Sequence, residues 1–134
     1  HLWVIPFVLN FEFQSDFASF STMETELTVE LESVTMFLRK FENQFFFPVI
    51  KKGSSKNLNM WIYFNGIPSM SSEYQSQIEL KNENTKITFQ APTMPINKNQ
   101  DTVIKNQTCL VLSKQMLKNL ELTKATFNVL KVHT

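Results

Sequence analysis

In Trp3, Ile5, Phe7, Leu9, Phe11 and Phe13 every odd-numbered position is a large apolar side chain, and Leu27, Val29 and Leu31 keep that parity between Glu26, Thr28, Glu30 and Glu32. Side chains that change face at every residue belong to extended strands, with one face in a core and the other in a different environment. The alternation returns in short blocks along the whole chain, which therefore reads as an all-β domain. By itself this pattern names a fold class and no activity.

Outward from these blocks, Leu2–Phe13 is expected to be the first strand and Gln14–Glu24 a serine-rich connector whose Phe17 and Phe20 cover one end of the domain. A second strand starts near Thr25. Val34, Met36 and Leu38 then move the apolar phase to even numbers, which predicts a β-bulge or a break near Ser33. Phe45–Ile50 is a continuous apolar run, read as a strand buried on both faces and ending at or just after Pro48. Leu58, Met60, Ile62 and Phe64 form a clean even face, with Trp61 and Tyr63 pointing the other way. Asn65–Gly66 and Ser69–Ser72 supply a turn. Tyr74, Ile78 and Leu80, then Ile87 and Phe89, flank a turn at Lys81–Asn84, the best hairpin signal in the chain. Pro92–Asn106 reads as a long loop and Thr108–Leu112 as a short strand. Ser113 is placed to cap a brief helix at Lys114–Asn119, and Thr126–Val132 closes the domain. The sum is an antiparallel β-sandwich of about eight strands, with one short helix before the last.

The 134 residues suit a single domain, spanning 1–134, that needs neither disulfide nor metal to hold it. The chain starts at a histidine and is read as a fragment of something longer. Cys109 stands alone beside Leu110, Val111 and Leu112 and reads as a small core hydrophobe, which favours a reducing, intracellular location in cytoplasm or nucleus. The sequon Asn106–Gln107–Thr108 keeps a secreted origin in view. No apolar run reaches the roughly 20 residues of a membrane span, and His1–Phe13 lacks the basic leader of a signal peptide. Net charge is +1 and Arg39 is the only arginine, a composition that argues against nucleic-acid binding. Lys51, Lys52 and Lys56 around Gly53 read as a solvated loop tip.

Catalytic groups are scarce. His1 and His133 lie at the ends, Asp16 and Asp101 in expected loops, and Gly53 and Gly66 are the only glycines, so neither a serine triad nor a phosphate loop can be assembled. Two dispersed histidines and one cysteine make no four-ligand zinc site. Glu26, Glu30 and Glu32 on one strand face read as solvation and edge protection. No catalytic residue, metal or cofactor is assigned. The residues left to carry function are apolar: Trp61 and Tyr63, either displayed or covered by a loop or the short helix, and Met70 and Met94, beside prolines, as lining for a partner's groove.

Several segments resemble the substrate-binding domain of the seven-in-absentia ubiquitin ligases. They are Asn43–Phe46, Glu73–Leu80, Lys86–Pro92, Thr108–Leu112 with the short helix after it, and Leu122 with Phe127–Val129. The resemblance runs from about Met36 to Val132. It implies a TRAF-like eight-stranded sandwich that selects a protein or peptide partner along a sheet edge, often as a homodimer or homotrimer. It also implies that ligase chemistry lies outside this chain, as a substrate-recognition or adaptor part does. The region before Met36 does not match the family's peptide-binding strand, so no contact residue is carried over. The expected function is thus non-catalytic recognition of a partner or self-association, through an edge such as Glu26–Leu31 or Thr126–Val132. The alternative is a secreted adhesion or carbohydrate-binding sandwich.

Overall fold

A computed structural model of the chain describes residues 8–9, 17–26, 34–53, 57–106, 108–121 and 124–132. Its strands are β1 (Val8–Leu9), β2 (Phe17–Glu26), β3 (Val34–Met36), β4 (Arg39–Phe41), β5 (Gln44–Lys52), β6 (Leu58–Asn65), β7 (Tyr74–Lys81), β8 (Lys86–Pro92), β9 (Met94–Pro95), β10 (Leu110–Leu112) and β11 (Lys124–Val132). A 3-10 helix, Pro68–Glu73, precedes β7, while α1 (Gln100–Lys105) and α2 (Lys114–Leu120) flank β10.

Two sheets face each other. The first has the order β1-β8-β7-β11-β2 and the second β10-β6-β5, with β3 and β4 end to end along the far side of β5 and β9 beside β6. All the pairings are antiparallel except β6 with β9. The even residues of β6 and their partners on β5 point into the space between the sheets, where Phe46 and Phe64 meet Tyr74 from β7 at centroid distances of 5.0 and 5.4 Å. Ile78, Leu80, Phe89, Phe127 and Val129 fill the core from the first sheet. Gly66 follows β6 because nothing larger fits: a Cβ there would strike the Phe64 ring and come within 2.8 Å of Gln44 Oε1.

The β7–β8 hairpin forms where expected. Its turn is set by Asn82, whose Oδ1 accepts from the backbone N–H groups of Asn84 and Thr85 at 2.7 and 2.6 Å, an Asx-turn. The β4–β5 turn places Glu42 and Asn43 at φ of 52° and 63°, the backbone that suits the right-handed twist of a two-residue hairpin. Ser113 caps α2 as read, its Oγ accepting from Met116 N–H at 3.0 Å.

Five expectations are corrected. Residues 17–24 of the Gln14–Glu24 connector belong to β2, because nine register pairs with β11 extend a stretch whose own composition is only weakly strand-forming. The Pro92–Asn106 loop contains β9 and α1, capped by Asn99 Oδ1 accepting from Thr102 N–H at 2.8 Å. The Phe45 strand runs past Pro48 to Lys52, so that Lys51 and Lys52 are strand residues rather than part of a loop tip, and it is not buried on both faces, since Phe45 is 41% exposed. Pro48 fits because Phe37 N–H donates to its carbonyl at 2.9 Å. Its missing N–H therefore faces the same side, between β3 and β4, where the edge ladder is interrupted. Thr126–Val132 is no edge, since β11 lies between β7 and β2. Finally, the even phase of Val34, Met36 and Leu38 is not the inward one: Val34 and Met36 stand opposite Lys51 and Val49 on the outer face of β5, Met36 and Leu38 are exposed with only Val34 of the three packed, and Phe37 and Phe41 turn to the core. Ser33, the strand Leu27–Leu31, the segment 1–7 and the side chains of Phe17 and Phe20 lie outside the described residues.

Candidate functional site

From Val34 to Phe41 the chain is apolar on both parities, so one apolar face must be left outside the core. Phe37 and Phe41 turn inward, Phe41 against Phe46 and Tyr74 with centroids 6.3 Å apart in each case. Met36 and Leu38 turn outward and stay 44% and 60% exposed. The register sets Met36 opposite Val49 and Arg39 opposite Phe46, so Leu38 falls beside Phe47 and Lys40 beside Phe45. Phe45 is 41% exposed, and the Lys40 ammonium sits 5.9 Å from its ring centroid. Met36, Leu38, Phe45 and the half-buried Phe47 form one outward apolar strip along the margin of the second sheet.

Among the described residues the backbone at this margin is open as well. Phe37 N–H is spent on Pro48, and in an antiparallel ladder successive residues turn their N–H and C=O to opposite sides. Met36, Leu38 and Lys40 therefore present theirs away from β5. Among the described residues no strand pairs with β3 or β4 on that side. The stretch offers about 13 Å of unpaired ladder beside exposed apolar side chains.

The strip ends where a cover begins. Trp61 and Tyr63, on the outward face of β6, are 2% and 3% exposed. They meet edge to face at 5.5 Å, and the Tyr63 hydroxyl donates to Lys98 C=O at 2.7 Å. Burial pushes that hydroxyl's pKa up. Lys51 on β5 reaches Asp101 of α1 at 3.6 Å, and Val103 of α1 is fully buried. Residues 96–105 thus lie over the outer face of β6. A shallow cleft of about 450 Å³ remains between Lys51, Tyr63, Ile96 and Asp101.

Of the four residues that sequence reading selected as partner contacts, the fold brings Trp61, Tyr63 and Met94 together. Met94 stands opposite Tyr63 in the β6–β9 register and is buried. Met70 is elsewhere, half-buried on the 3-10 helix against the core. None of the four is among the exposed apolar side chains. Met36, Leu38, Phe45 and Phe47 were not selected, although apolar residues at both parities of 34–41 carried the signal. Cys109 is fully buried as read, and desolvation pushes its thiol up to about 12. Among the described residues no group of three or more His, Cys, Asp or Glu is placed to hold a metal ion. No helix among them is long and apolar enough to cross a membrane.

Comparison with protein families matches residues 38–126, about two-thirds of the chain, to the family described as Sina, TRAF-like domain. No curated protein matches the chain. The matched region runs from Leu38 at the open margin through both sheets to Thr126 in β11, and with it the expected TRAF-like sandwich and the resemblance to the seven-in-absentia domain both stand. This chain belongs to the Sina TRAF-like domain family, a family of protein-binding domains.

Proposed function

We propose that this chain is a non-catalytic recognition domain that takes an extended segment of a partner protein as an added strand along β3 and β4. The observation that carries the reading is a coincidence at one margin: the open backbone of Met36, Leu38 and Lys40 lies beside exposed apolar side chains. An added strand draws affinity from main-chain hydrogen bonds and specificity from alternate side chains. β2 also has an open side among the described residues, but the only exposed side chain described on it is that of Glu24, so no exposed apolar strip is described beside that backbone. Trp61, Tyr63 and Met94 enter as the packed and covered neighbours of the strip on the same side of the sheet rather than as contacts. The domain works inside the cell, as the substrate-recognition or adaptor part of a ubiquitin ligase whose catalytic module lies elsewhere. A glycan found on the exposed Asn106 would move the reading to the secreted alternative.

Selection of phage-displayed twelve-residue peptides on the purified chain tests this. Extended sequences with apolar residues at alternate positions are expected to enrich and to lose binding to a Leu38→Glu variant, while a Gln115→Glu variant, altered at an exposed site on α2 after β10, the strand at the opposite edge of this sheet, retains it. Peptides that bind both variants equally, or no enrichment at all, would defeat the reading. Self-pairing of two such margins in a homodimer is the competing use of the same surface. Sedimentation would show it as a dimer that Leu38→Glu converts to monomer.

A further inference from the structure

The sign of charge around the strip selects among partner segments, an inference that rests on the edge reading just given. The residues turned outward on β3 and β4, with Leu38 between them, are Val34, Met36, Leu38 and Lys40. On β5 they are Phe45, Phe47, Val49 and Lys51, and on β6 Asn59, Trp61, Tyr63 and Asn65. The titratable groups of charge on this face are two lysines, one at each end of the apolar strip, and no carboxylate comes from these strands. Lys40 closes one end and Lys51, opposite Val34, the other. Six strand residues separate them, roughly 20 Å.

Among the described residues, the carboxylates nearest these two lysines do not cancel this pattern. Glu42, in the turn after Lys40, is held at 3.3 Å by Lys131 of β11, whose neighbour in register is the inward-facing Tyr74. That pair draws the Glu42 carboxylate toward the space between the sheets and away from the outer face. Asp101 lies 3.6 Å from Lys51; the Lys51 side chain is 22% exposed and that of Asp101 95%, and a carboxylate held on only one side and otherwise in water is open to exchange for a competing one.

We infer that the segment bound here is acidic at both ends and apolar between, with the pattern acidic–x–apolar–x–apolar–x–acidic. An added strand presents alternate side chains on the outer face. Two of them lie beside Met36 and Leu38, and the next ones out reach Lys40 and the Val34–Lys51 end. The pattern reads the same in both directions, so it holds whether the segment pairs parallel or antiparallel. Glutamate suits the ends better than aspartate because its longer stem reaches past Val34 toward Lys51.

The test uses three fluorescein-labelled peptides with one centre, Thr-Leu-Thr-Val-Thr, flanked by Glu at both ends, Gln at both ends or Lys at both ends. Their binding to the whole chain is measured by anisotropy at low salt and at about 0.5 M salt, where the screening length falls to roughly 4 Å. The Glu-flanked peptide is expected to bind about fivefold more tightly than the Gln-flanked one at low salt, and equally at high salt. Lys40→Glu, at an exposed position, reverses one of the two ends and should bring the Glu-flanked and Lys-flanked peptides to about equal affinity, with circular dichroism confirming that the variant is folded. Equal affinities for all three peptides, each abolished by Leu38→Glu, would overturn the charge inference and leave the edge site standing. Tighter binding of the Lys-flanked peptide to the unaltered chain would overturn it too. Failure of all three to bind would remove the edge reading and this inference together.

Discussion

Cys109 illustrates how far a single residue can be read. Its three apolar successors and the lack of any other cysteine pointed to the core, and it is fully buried at the entry to β10. Desolvation raises the thiol to about 12, so the nucleophilic thiolate is nearly absent at ordinary pH. The folded domain is therefore expected to resist a thiol reagent at about pH 8, and to be labelled at a rate that follows unfolding and rises with urea. Prompt labelling without denaturant would show that Cys109 is accessible. Trp61 and Tyr63 were legible in the same way up to a point. Their parity put them opposite the core face of β6, where they are. That residues 96–105 cover them depends on contacts some 35 positions away in sequence, Tyr63 to Lys98 above all, and no local pattern encodes such a contact.

At the scale of elements, what sequence could show depended on whether an element's cause is local. The β7–β8 turn and the α2 cap arise from nearby side chains, Asn82 and Ser113, and both were read correctly. β2 is held by its register with β11, and α1 has only six residues in a stretch rich in Pro and Asn, so neither announced itself. The even-numbered apolar phase at Val34–Leu38 misled for a physical reason: a strand with two apolar faces cannot say which one is inside. Asn82 has a further role that local reading could not supply. Its Nδ2 donates to Leu120 C=O at 2.6 Å, closing the end of α2 just where Glu121 takes a positive φ of 50°. One amide thus joins the hairpin turn to the helix terminus. Asn82→Ala removes two turn hydrogen bonds and this tie, and is expected to cost about 2 kcal/mol, read as a lower urea midpoint with an unchanged m-value. Asn82→Asp keeps the turn acceptor and loses the donor to Leu120, and should fall between the two. A loss no larger for Ala than for Asp would mean that the turn bonds contribute nothing.

Over the whole molecule, the alternation gave the sandwich its class, while the order of strands came from long-range pairing that brings β2, near one end, against β11, near the other. Glu24 on β2 secures that closure electrostatically, since its two carboxylate oxygens reach Lys124 of β11 at 3.6 Å and Lys81 of β7 at 3.4 Å. The Lys124 charge foremost, then the bond to Lys81, holds the Glu24 carboxyl below its ordinary 4.5. A carboxyl whose pKa is lower in the folded state binds its proton more readily when unfolded, so its ionisation favours folding above about pH 4.5. That contribution is lost as pH falls through the lowered folded value. All three side chains are well exposed, so salt should weaken the clasp. Thermal melts of the native chain and a Glu24→Gln variant, followed from about pH 7 to about pH 3, test the argument. The native chain should be the more stable at the upper end, and the two melting temperatures should converge as the acid limb is descended, sooner in high salt. A gap of constant size across that range would show that Glu24 acts through neutral hydrogen bonds and packing, and that the closure of β2 onto β11 owes nothing to its charge.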